Sequence, residues 1–177
     1  MFFLILLIIA ILLLGSIAFM VFIFSVTIWA DLKGAPFVRS RKDRIKTMLE
    51  LADIQTGTRV LELGSGDGTL LITAAQRGAD AEGIEINPFL VWYSKYRIRK
   101  LGLQANTRVA QQNLFDISLT DKNPDVIFLY LLPTTLKQIK EKFLTELAPH
   151  TRIVSNGFRI DGLTPVAEKN NVYTYHV

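Results

Sequence analysis

Three alternating glycines constrain this chain more than any other feature. In Leu61-Glu62-Leu63-Gly64-Ser65-Gly66-Asp67-Gly68 they follow an apolar run directly, and an acidic residue, Glu85, lies 17 positions beyond the last of them. Glycine adopts positive φ without strain and has no Cβ to obstruct a ligand. The pattern therefore predicts a strand-to-helix turn open to close approach. In open α/β sheets such a turn lies beyond the carboxyl ends of the strands, where strand order reverses. Gly64 and Gly66 are expected to make the turn, and Gly68 to begin the next helix and let it pack closely. Glu85, ending the second strand, is placed to accept two charge-assisted hydrogen bonds from a ribose diol.

The spacing also discriminates between ligands. A dinucleotide fingerprint, G-x-G-x-x-G, would need a third glycine at position 69, which is Thr69. Glu62 and Asp67 put carboxylates on the loop, unfavourable beside a pyrophosphate but suited to a cation. S-adenosylmethionine carries a sulfonium and an ammonium and no phosphate, so spacing and charge agree on it as cofactor. Two plainer readings stand beside this one. The glycines can close tight turns with no cofactor, and Asp67 can serve as a helix-start residue favoured by the dipole.

Residues 2–30 contain no charge and are nearly all Leu, Ile, Val, Phe, Ala or Met. As a helix they would extend roughly 43 Å, against the roughly 20 residues needed to cross a hydrocarbon core of about 30 Å. A signal peptide would need a basic leading region and a shorter apolar core, so a single transmembrane anchor is expected. Lys33, Arg39, Arg41, Lys42, Arg44 and Lys46 follow it, against only Asp31 and Asp43. The positive-inside bias then holds the rest of the chain on the cytoplasmic side, with Trp29 as an interfacial aromatic. The net charge of +4 equals this local surplus. Beyond residue 46 the chain is neutral, which argues against a nucleic-acid partner, and the basic flank suits anionic headgroups. There is no cysteine, and His150 and His176 lack ligand spacing, so neither thiol chemistry nor a metal site is expected.

Gly34, Ala35 and Pro36 read as a link, and Ile45, Met48, Leu49 and Ala52 mark a helix over 39–51 with Gly57 as its stop. Strands are predicted at 59–63, 81–86, 107–111, 125–132 and 152–155. Helices are predicted at 67–77, from Asn87-Pro88 to about 101, and at 134–147, with a terminal hairpin within 164–177. This alternation predicts an α/β fold, a mostly parallel sheet with helices on both faces. After Ser155 there is no room for another crossover helix plus two full strands. The expected organisation is a transmembrane anchor at 1–30, a basic juxtamembrane linker and helix at 31–57, and a ligand-binding domain at 58–177.

Together with Gly83-Ile84-Glu85-Ile86-Asn87-Pro88, the glycine segment resembles the first two motifs of the seven-stranded, class I S-adenosylmethionine-dependent methyltransferases, a Rossmann-like fold. More narrowly, the chain is similar to the small membrane-anchored protein-lysine methyltransferases of the ATP synthase c-subunit and the adenine nucleotide translocase. That likeness is carried by the apolar amino terminus, Pro36-Phe37-Val38, Asn113-Leu114-Phe115, Phe128-Leu129-Tyr130-Leu131-Leu132-Pro133, Val154-Ser155-Asn156-Gly157-Phe158, and Pro165 through Tyr173-Thr174-Tyr175. The resemblance implies that Glu62 and the loop residues Gly64, Ser65, Gly66, Asp67 and Gly68 border the methionine moiety. It implies that Glu85 holds the ribose and that Asn113 lies by the adenine amine, where many relatives carry an acid. It also implies methyl transfer to a lysine of a membrane-associated protein. A lipid or quinone-like acceptor, and a non-catalytic membrane scaffold, are the alternatives.

No residue stands out as a general base. Asp116 reads as a solvated loop acid, and Tyr130 either orients an amine or packs within a buried strand. Leu131-Leu132-Pro133 is apolar where many relatives with small or nucleic-acid acceptors carry a polar Asp/Asn-Pro-Pro-Tyr or Phe motif. Lys95, Arg97, Arg99 and Lys100 form a second basic cluster, expected as a solvated helix face, with docking on an anionic membrane or acidic protein as the alternative.

Overall fold

In a computed structural model the described residues are 2–33 and 38–176, and the side chains of 26–33 are not described. The predicted link at 34–36 and the interfacial placement of Trp29 lie outside the described residues. The chain divides into two compact units, Met1–Pro36 and Phe37–Val177.

The first unit is one helix, α1 (Phe2–Lys33). Its described side chains are apolar on every side and almost all exposed, so it has no polar face to turn toward water. Ser16 and Ser25 donate their hydroxyls to Leu13 O (2.8 Å) and Val21 O (2.7 Å), satisfying within the helix the polar groups an apolar medium would leave unpaired. Phe2–Ser25 is long and apolar enough to cross a membrane by length and composition.

The second unit contains a seven-stranded sheet: β1 (Arg59–Leu63), β2 (Asp80–Glu85), β3 (Thr107–Gln111), β4 (Val126–Leu129), β5 (Arg152–Asn156), β6 (Ala167–Lys169) and β7 (Val172–His176), in the order β3-β2-β1-β4-β5-β7-β6. The first five strands are parallel, and β7 runs antiparallel between β5 and β6. Strand order reverses between β1 and β4. The helices are α2 (Lys42–Ala52), α3 (Thr69–Ala75), α4 (Pro88–Lys100), the short α5 (Leu119–Lys122) and α6 (Pro133–Glu146).

Successive residues of the central strands are buried in alternate cores. On β4, Val126 and Phe128 join the core with α2, α3 and α4, whereas Ile127 and Leu129 join the core with α5 and α6. A strand covered on both faces has no solvent side, hence its continuous apolar sequence. The expected layers are present, with helices on both faces and an antiparallel hairpin at the end. That hairpin turns through Asn170 and Asn171, both at φ 52°, as a two-residue loop of mirror-image type requires.

Several boundaries shift. The first helix of this unit begins at Lys42, not Arg39: the backbone is extended at Arg41 (φ −66°, ψ 147°), and Arg39 before it pairs with Asp67. The helix expected over 67–77 is Thr69–Ala75: Gly68 sits at φ 71°, outside helical geometry. β4 ends at Leu129 because its partner β1 ends opposite at Leu63 and turns away. Residues 130–132 then lead into α6, which starts at Pro133, a favoured first helical position. The four-residue α5 carries too short a pattern to announce itself.

Candidate cofactor site

The glycine loop occupies the crevice where strand order reverses. Gly64 (φ 77°), Gly66 (φ 54°) and Gly68 (φ 71°) all adopt the left-handed conformation, so side chains are excluded there by backbone strain. The loop hangs on β2: Gly64 and Ser65 N–H donate to Ile84 O at 2.8 and 3.0 Å. Gly83 is required beneath it, since a Cβ there would lie 2.6 Å from Ser65 Oγ. From behind, the Ser94 hydroxyl donates to Gly66 O (2.9 Å) and Arg97 donates to Asp67 O (2.5 Å). A Cβ on Gly68 would meet Ser94 Oγ at 3.0 Å, which is the close packing its position predicts.

Glu85 ends β2 and is buried, with each carboxylate oxygen accepting one backbone N–H: Oε2 from Gly66 and Oε1 from Asn87, both at 2.8 Å. A carboxylate offers about four acceptor positions, so capacity remains for a ligand's hydroxyls. Glu62 points to the same face as α3 and accepts the Leu71 N–H at 3.1 Å. Part of Glu62 stays accessible, yet burial pushes its carboxyl well above the ordinary value of 4.5. The charge of Asp67 pushes the same way, the Leu71 N–H opposes, and the charge of Glu85 adds further. Among the described residues no basic side chain pairs with Glu62 or Glu85.

Asp67 departs from the expected free acid of the loop. Its carboxylate takes Arg39 Nε and Nη2 at 2.9 and 2.5 Å, lies 3.3 Å from Arg97 Nη1, and accepts from Thr69 N (3.1 Å) and Oγ1 (2.7 Å). Burial alone would raise its pKa; the bonds from Thr69 and Arg39 outweigh that and lower it. Two guanidinium groups thus neutralise it, and its plainer reading, a turn residue at a helix start, describes these contacts. Arg97 is correspondingly not a solvated member of the basic cluster. It lies one turn after the buried Ser94 on the face of α4 turned to the loop, a spacing that separates it from Lys95, Arg99 and Lys100.

The remaining candidates line the same edge. Asn113 follows β3 beside the end of β2, where Gln112 N–H donates to Glu85 O (3.1 Å). Its Oδ1 accepts from Phe115 N (3.2 Å) and its backbone carbonyl from Asp116 N (3.0 Å), the geometry of a turn asparagine. Asp116 is exposed. Tyr130 is not packed within a strand: it lies just past β4, 38% exposed, its ring where a Cβ on Gly157 would touch it at 3.2 Å. No cluster of metal-ligating side chains occurs among the described residues. Arg39 is invisible to local pattern because its partner lies 28 positions away.

The parts fit S-adenosylmethionine. The loop is held open by left-handed glycines, one buried carboxylate retains acceptor capacity, and a second, partly buried acid lacks a compensating cation. Fold and site together define a class I, S-adenosylmethionine-dependent methyltransferase domain. The profile of the ANTKMT methyltransferase domain matches residues 62–167, and the chain belongs to that family. It is 34% identical over 130 residues to the ATP synthase c-subunit lysine N-methyltransferase of Xenopus laevis, covering 73% of this chain and 56% of that protein. A protein-lysine N-methyltransferase of Saccharolobus islandicus is 32% identical over 132 residues, covering 73% and 81%. The chain thus spans little more than half the length of the Xenopus relative. Among solved structures, an RNA methyltransferase from Salinibacter ruber in complex with S-adenosyl-L-homocysteine superposes with a TM-score of 0.74 at 30% identity, covering 78% of this chain and 93% of that one.

Proposed function

We propose that this chain is a membrane-anchored methyltransferase that transfers a methyl group to the side-chain amine of a lysine in a membrane-associated protein. The observation carrying the methyl-donor half is the pair of acids without a cation, Glu62 in β1 and Glu85 at the end of β2, flanking a loop of left-handed glycines. In this reading Glu62, Gly64, Ser65, Gly66 and Gly68 border the methionine end, Glu85 holds the ribose and Asn113 neighbours the adenine. Asp67 acts indirectly, fixing the loop through Arg39 and Arg97. The acceptor half is supported by relatives that act on lysine, and the membrane by the all-round apolar α1 with the basic segment after it.

The cofactor supplies an electrophilic methyl on a sulfonium that leaves as a neutral thioether. What remains for the protein is alignment and exclusion of water. A lysine amine must be neutral to attack; its free pKa near 10.4 falls in a desolvated site, so no dedicated base is needed. In this reading Tyr130, just past β4 with its ring beside Gly157, orients the incoming amine by its hydroxyl. A nucleic-acid acceptor fits less well, since the chain beyond residue 46 has no net positive charge for phosphates.

Incubation of native membranes with methyl-labelled S-adenosylmethionine tests this. Label is expected in protein; label confined to the organic extract or to RNA refutes a lysine acceptor.

A further inference from the structure

The outward face of α4 bears three large aromatic side chains in a row. Phe89, Trp92 and Tyr96 are 50%, 61% and 50% exposed, spaced so that they share one helical face. Their rings touch in sequence, with centroids 5.8 Å apart for Phe89 and Trp92 and 6.2 Å for Trp92 and Tyr96. The opposite face holds the buried Val91, Ser94 and Ile98. Single apolar residues on a surface are ordinary, but three contiguous rings on one helix are not explained by packing within this unit. Lys95, Arg99 and Lys100 are exposed around the rings, and among the described residues none of them makes an ion pair. The helix contains no acidic residue.

We propose that this face of α4 is a docking surface for an anionic lipid bilayer. Trp and Tyr favour the interfacial zone, where an amphipathic ring meets both headgroups and acyl chains. Lys95, Arg99 and Lys100 complement anionic headgroups, each contributing roughly a fivefold shift toward the surface. A second copy of the chain is a poorer occupant, because the same three cations would meet across the contact. The inference rests on the face of α4 itself; the membrane part of the proposed function adds only that a bilayer is near. Docking by α4 would fix how the methyl-transfer edge is presented to acceptors at the surface, which a tether alone does not.

The chain has two tryptophans, so Trp29→Phe leaves Trp92 as the sole reporter. The full chain carrying that change is reconstituted into vesicles of phosphatidylcholine with brominated acyl chains, with or without phosphatidylglycerol. Bromine is expected to quench Trp92 in the anionic vesicles. Quenching should weaken in pure phosphatidylcholine, in about 1 M salt, where the screening length falls to about 3 Å, and in Lys95→Gln/Arg99→Gln/Lys100→Gln. A control chain with Trp29→Phe, Trp92→Phe and Leu144→Trp carries its reporter on α6, where Leu144 is 47% exposed, and should escape quenching. Unquenched Trp92 in a chain that floats with anionic vesicles overturns the docking surface and leaves anchoring intact. Failure to float overturns anchoring as well. Trp92 shielded from aqueous iodide yet unquenched by bromine means that protein covers the face, and overturns the proposal. Equal quenching in both lipids, or of the α6 reporter, does the same.

Discussion

Glu62 is a partly buried acid without a cation, and that has a thermodynamic consequence. Its folded-state pKa lies above the unfolded value near 4.5, so between the two the folded chain keeps a proton that the unfolded chain has lost. Stability of the ligand-free chain therefore falls as pH rises through that window. Glu62→Gln should raise the ligand-free melting temperature near neutral pH. The cationic ligand favours the ionised carboxylate and lowers its pKa, so S-adenosylmethionine affinity should climb with pH toward the raised ligand-free pKa and then level. Glu62→Gln should flatten that slope, and a titration series by calorimetry measures both; an unchanged slope places the ammonium elsewhere. Glu85→Ala should cost about 1.5–3 kcal/mol of cofactor affinity, the scale of a charge-assisted hydrogen bond, with the circular dichroism spectrum retained. The three glycines and Glu85 were legible because each answers to local geometry. The neutralisation of Asp67 was not, because Arg39 reaches it across 28 positions and no periodicity reports such a partner.

At the scale of elements, the loop depends on what backs it. Gly83 has an ordinary strand conformation, so Gly83→Ala tests crowding alone: its Cβ would fall 2.6 Å from Ser65 Oγ and 2.7 Å from Ser65 Cβ. Overpacking of this kind costs about 1–3 kcal/mol, and here it should also weaken cofactor binding by displacing Ser65. Gly57→Ala is the contrast. It carries positive φ (83°) with nothing within 4 Å of the new Cβ, so it should lose stability from strain, about 1 kcal/mol or more, and leave cofactor affinity unchanged. Denaturant melts paired with titrations separate the two. Parallel strands and the helices after them were readable because continuous apolar runs and Asn87-Pro88 are strong signals. The end of β4 was not: Tyr130-Leu131-Leu132 is as apolar as a strand, and the loss of its partner on the β1 side, where that chain turns at Gly64, is not written in it.

At the scale of the molecule, a catalytic fold follows a helix with no polar face. If α1 spans the bilayer, the chain should stay with membranes through salt and alkaline washes and leave only in detergent; release by salt alone would mean a peripheral protein held by its basic residues. The class of fold was legible from seven or eight residues, since a left-handed glycine turn with a distant acid has few other uses. The acceptor was not, because the transfer itself asks for alignment and desolvation and leaves no signature side chain. The most direct measurement is mass spectrometry of membranes incubated with this protein and methyl-labelled S-adenosylmethionine. Label on the Nε of a lysine in a membrane protein, lost when Glu85→Ala replaces the wild type, is the predicted result. Folded, cofactor-binding protein that leaves no labelled lysine would contradict it.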